Sequence, residues 1–208
     1  MIGGVSSFSE MFAFRRGSEE PVDDERYEQP AWFGPPEDEL GTCVPLSIVL
    51  GRSERAVVAL TNITAHSTGL KLELLALARG LRQSETSRVF HEQHIAGPED
   101  DLSDLFLRVG VEFADGRRAS NLEGYRHALR PDQEPEGPLL MQSGGGGGSA
   151  DTGTVSLHPG YWLWPLPPEG PLRVFTEWPG LEIELCQAEL EGAAIADAAR
   201  RSEQLWSD

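Results

Sequence analysis

The chain has 208 residues, a net charge of −17, a pI of about 4.6 and a mean hydropathy of −0.33. That length fits one domain with extensions. A surface this acidic repels phosphate backbones and anionic lipid, so neither nucleic acid nor a membrane is an expected partner, while a basic protein would be attracted.

Lys71 is the only lysine, against sixteen arginines, and Asn62 and Asn121 are the only asparagines. That bias suggests a GC-rich bacterial coding sequence. It also leaves no lysine cluster for Schiff-base chemistry and no phosphate-loop lysine. No apolar run approaches the length of about eighteen residues needed for a membrane helix. Met1 to Phe14 lacks a basic stretch ahead of an apolar one, so a secretory leader is not expected and the location read from the sequence is cytoplasmic. Cys43 and Cys186 are then expected as free thiols, with one bridge as the alternative for a secreted chain.

Residues 1–30 read as a flexible N-terminal arm. Phe8, Met11 and Phe12 share a face at helical spacing, and a charged stretch follows. Pro30 to Pro36 is an aromatic loop carrying Trp32 and Phe33. In the first strand, Leu40–Leu50, Val44, Leu46, Ile48 and Leu50 point inward, and Pro45 marks an edge position. Ala56 to His66 shows little alternation, as a strand covered on both faces would. With Leu70–Arg79 it predicts a β-hairpin. Gly80 to Asp101 reads mainly as a connection. Leu105 to Phe113 alternates strongly, and Asp115-Gly116 marks a turn into a strand from Arg118.

Residues 123–154 are Pro/Gly-rich, include the pentaglycine Gly144 to Gly148, and are expected to form a disordered loop. Trp162 to Trp164, Leu172 to Trp178 and Leu181 to Leu185 follow as closing strands. Leu181, Ile183 and Leu185 share one face; Glu182, Glu184 and Cys186 take the other. The period then changes, and Ile195, Ala198, Ala199, Leu205 and Trp206 recur at helical spacing, placing an amphipathic helix in 191–208. Residues 31–190 are thus predicted to be a single mainly β domain, an immunoglobulin-like antiparallel β-sandwich of about seven strands with that C-terminal helix. The Cys…Trp…Cys arrangement of antibody domains is absent, so the likeness concerns architecture alone.

Chemistry-bearing patterns are sparse. His91 and His94 are weak metal candidates: on a helix they share a face, with Asp100, Asp101 and Asp104 nearby, yet no third ligand is fixed by spacing. No Gly-x-Ser-x-Gly occurs, and the pentaglycine lacks the Lys-Ser/Thr of a phosphate loop. Nothing in the sequence calls for a cofactor. Tyr161, Trp162, Trp164 and Trp178 are the candidate binding residues. Exposed, they would form a platform for a sugar or a protein; buried, they fill the core, and the frequency of buried aromatics favours the core. The leading functional expectation is a non-enzymatic protein–protein interaction module, binding a partner or itself along an edge strand. A small-ligand or carbohydrate-binding module on the Trp cluster and a metal-dependent hydrolase at His91 and His94 are the alternatives.

Overall fold

Residues 29–93, 102–128, 135–144, 147–151 and 153–206 are described by the computed structural model. The N-terminal arm therefore lies outside the described residues except for its last two. The chain is mainly β, and its sheets are antiparallel.

The first segments are β1 (Glu39–Leu40), β2 (Thr42–Val44) and β3 (Ile48–Arg52). Pro45 falls in the gap between β2 and β3, and both pair with β4 (Ala56–Ala65), one behind the other. They thus form one broken edge, as a residue without an N–H requires. β4 forms the predicted hairpin with β5 (Leu70–Arg79). The weak alternation of β4 has a cause other than two-sided cover. The register slips between Leu60 and Asn62. The extra residue reverses parity, so Val58 and Leu60 are buried before it and Ile63 and Ala65 after it.

Helix α1 (Gln83–Glu92) occupies part of the stretch read as a connection, and Glu85 caps it by accepting from the Arg82 amide at 2.8 Å. β6 (Arg108–Glu112), β7 (Arg118–Ser120) and α2 (Asn121–Ala128) follow. Leu107, Val109, Val111 and Phe113 are buried, as the alternation predicts. Asn121 joins these elements: its Oδ1 accepts from the Val109 amide and its Nδ2 donates to the Leu107 carbonyl.

The expectation of a disordered loop through 123–154 does not hold for the described part. α2 extends into it, and β8 (Leu139–Gln142), β9 (Gly147–Asp151) and the start of β10 (Thr154–His158) lie there. β9 pairs with β10, and β8 with β11 (Gly160–Trp164), making one long interrupted hairpin. β10 and β11 both pair with β5. Composition misleads here because Leu139, Leu140 and Met141 are buried and anchor the segment. The glycine is also required: a Cβ on Gly148 would lie 2.6 Å from both the Phe90 ring and the Ser156 carbonyl oxygen.

The second sheet has the order β13-β12-β6-β7, with β12 (Leu172–Trp178) and β13 (Ile183–Leu190) closing it. Side chains of both sheets enter one hydrophobic core, Leu60, Ile63 and Leu72 from one and Val111, Val174 and Trp178 from the other. The C-terminal helix α3 (Gly192–Arg200) buries Ile195, Ala198 and Ala199. It stops before Leu205 and Trp206, which are exposed and do not share its face. After it, β14 (Glu203–Gln204) pairs with β1 and brings the two ends of the domain together. Fourteen strand segments are thus present among the described residues where about seven were expected, because gaps split residues 39–52 into β1, β2 and β3, and β8, β9, β10 and β14 lie in stretches not expected to be strands.

Candidate functional site

The aromatic cluster does not form a surface platform. Trp162 is 0% exposed, donates its indole N–H to the Ala31 carbonyl at 3.0 Å and meets the His66 ring edge to face. Trp178, on the other sheet, is also 0% exposed and donates to the Leu105 carbonyl at 2.8 Å. Tyr161 is buried with its hydroxyl 3.4 Å from Asn121 Nδ2. Burial, opposed by that hydrogen bond, pushes its pKa up to about 12. Trp164 alone is half-buried, packed edge to face on Trp32. Parity puts Trp162 and Trp164 on one face, as expected, and that face is covered.

His91 is exposed in the last turn of α1, and His94 lies outside the described residues. Asp104 sits 3.7 Å from the Arg108 guanidinium. No cluster of three or more His, Cys, Asp or Glu is placed to hold a metal among the described residues. Cys43 and Cys186 are both free thiols.

One Ser–His–Glu group does assemble that the sequence reading did not single out. Glu39 accepts from the Ser67 amide at 2.7 Å and the Ser67 hydroxyl at 2.5 Å, and His66 Nδ1 lies 3.4 Å from it. The serine donates to the carboxylate and not to the imidazole, so the serine-to-histidine hydrogen bond of a catalytic triad is not formed. This arrangement ties β1 to the turn after β4.

The surface feature of most consequence is β13. Among the described residues it pairs with β12 only, so its other side offers unpaired N–H and C=O groups. The strand starts after a 3-10 turn at Pro179–Leu181, with Glu182 in the left-handed region at φ 62°. Trp178 pairs with Ile183 but Thr176 with Cys186, so β13 carries one extra residue. This bulge overturns the predicted facing. Ile183 is 1% exposed, while Leu185 turns outward and is 66% exposed. Cys186, expected outside, packs against the core instead. Simple alternation could not reveal this, since the one sequence sign is the adjacent apolar pair Leu185-Cys186, which gives no direction.

The edge is negatively charged. Glu182, Glu184, Glu189 and Glu191 are exposed. Arg173, on the neighbouring strand, is already engaged: it holds Glu112 at 2.7 Å and Glu189 at 3.2 Å. Hydrogen bonds from Arg118 and then Arg173 keep the Glu112 carboxyl below its ordinary pKa. Glu184 forms no ion pair among the described residues. The result is an open strand edge with an outward leucine between carboxylates. No helix is long and apolar enough to cross a membrane among the described residues. No protein-family model, curated protein or solved structure matches the chain.

Proposed function

We propose that the two sheets form an immunoglobulin-like sandwich whose role is protein–protein contact and not catalysis, with β13 as the contact edge. The observation that carries this reading is the bulge that turns Leu185 outward on a strand paired on one side only. A strand added to such an edge gains ladder hydrogen bonds, and the leucine supplies an apolar contact. The flanking glutamates choose the partner. Antiparallel self-pairing centred between Cys186 and Gln187 sets Glu184 opposite Glu189, and like charges placed so are destabilising. The partner is therefore a different protein, with an extended basic segment that bears an apolar side chain. The net charge of −17 supports a basic partner in general terms, since such a surface attracts one.

The test is capture by the immobilised full chain from a lysate of its source cells at about 0.15 M salt, where the screening length is about 8 Å. Proteins held by the wild type should be released by a salt step and should not be held by Leu185→Glu. Capture that Leu185→Glu leaves unchanged, or formation of a homodimer along β13, contradicts the reading.

A further inference from the structure

A cleft of about 540 Å³ opens at the end of the first sheet where β3, β4, β5 and β10 come together. Three arginines line it: Arg52 from β3, Arg55 from the β3–β4 turn and Arg79 from the end of β5. The strand register explains the convergence. Arg52 pairs with Val57, and Val57 with Leu77, so their side chains stand in one row across three strands. Neighbouring strands lie about 4.8 Å apart, and side chains two residues apart share a face. Arg79 is two residues beyond Leu77 on the same face. Val57 and Leu77, both half-buried, give the cleft an apolar floor.

The turn that presents these groups is held firmly. The Ser53 hydroxyl donates to the Leu181 carbonyl at 2.7 Å and accepts from the Arg55 and Ala56 amides. The Arg79 amide donates to the Arg55 carbonyl at 2.8 Å. Arg79 Nε donates to the Glu54 backbone carbonyl at 2.9 Å, which orients the guanidinium and leaves its two terminal nitrogens unengaged. Arg55 makes one loose ion pair, 3.7 Å from Glu85. The one carboxylate in the lining of the cleft, Glu54, is exposed and forms no ion pair among the described residues.

Charge bookkeeping separates this place from the rest of the surface. Acidic residues outnumber basic ones, 34 to 17. Arg82, Arg88, Arg108, Arg117, Arg118, Arg173, Arg200 and Arg201 all hold a carboxylate. Among arginines whose side chains are described, only Arg52 and Arg79 have no ion pair, and both line the same cleft. In so acidic a chain, two unpaired guanidinium groups over an apolar floor are groups awaiting an anion.

We propose that this cleft binds a small organic anion, its phosphate or carboxylate group on Arg52 and Arg79 and its apolar body on Val57 and Leu77. The cleft adjoins the start of β13 through the Ser53–Leu181 hydrogen bond, but Arg52, Arg79 and the floor belong to β3, β4 and β5, and the proposal does not depend on the role assigned to the β13 edge.

Phenyl phosphate and benzoate are suitable probes, with benzyl alcohol as the neutral counterpart, titrated into the full chain and followed by amide and guanidinium NMR shifts. Saturable binding of either anion, with shifts centred on residues 52–57 and 77–79, supports the site. The double variant R52Q/R79Q should bind at least tenfold more weakly, and Arg117→Gln, which breaks an ion pair elsewhere, should bind as the wild type does. Should the double variant melt early, the single variants Arg52→Gln and Arg79→Gln decide the matter. Linear, unsaturated shifts with both anions, equal saturation by benzyl alcohol, or unchanged affinity in the arginine variants would overturn the proposal.

Discussion

At Glu39 the chain places a carboxylate at 7% exposure and surrounds it with donors. Burial pushes its pKa up, but the hydrogen bonds from the Ser67 hydroxyl and amide and from Ser202, together with the adjacent His66, outweigh that and hold it below its ordinary value of 4.5. Burial lowers the pKa of His66 against the opposing pull of Glu39. Both groups bind protons more tightly in the unfolded chain, so both signs agree. Their stabilisation is present above the unfolded values, 6.5 for His66 and 4.5 for Glu39, and is lost as the pH falls through the folded ones. Glu39→Gln keeps the shape but removes the charge from these hydrogen bonds, and should cost about 1–3 kcal/mol at neutral pH. Urea unfolding at several pH values should show the variant less sensitive than the wild type to acidification below about pH 5. Two stability curves that stay parallel through that range would show that Glu39 is not the titrating clasp.

Among the elements, β9 and β13 show where pattern reading stops. Alternation located the cores of β5, β6 and β12 because an antiparallel strand with one covered face repeats its burial every two residues. It failed at β4 and β13, where one extra residue reverses the parity and neither Thr61 nor Glu184 announces it. It failed again at Gly147–Asp151, since a glycine run carries no side-chain signal and the reason for it lies in the distant Phe90. The candidate edge was legible only as composition, in the glutamates of 182–191, and not as geometry. Gly148→Ala tests the strand assignment. A methyl group there meets the Phe90 ring and the Ser156 carbonyl, and overpacking of this kind should cost about 1–3 kcal/mol in thermal unfolding. An unaltered melting curve would favour the disordered loop expected from the sequence.

For the whole molecule, charge and topology point the same way. Two antiparallel sheets share a core, β1 and β14 close the ends, and Trp162 and Trp178 serve the interior. The two features proposed for function lie outside: the acidic β13 edge with its exposed leucine, and the arginine cleft where β3 ends. Amide hydrogen exchange of the full chain, with and without its captured partner, addresses the central claim most directly. Strand addition predicts slowed exchange along Leu185–Glu189 in the complex, because amides open to water on an edge become paired. Unchanged exchange in β13, with new protection on another surface, would contradict it.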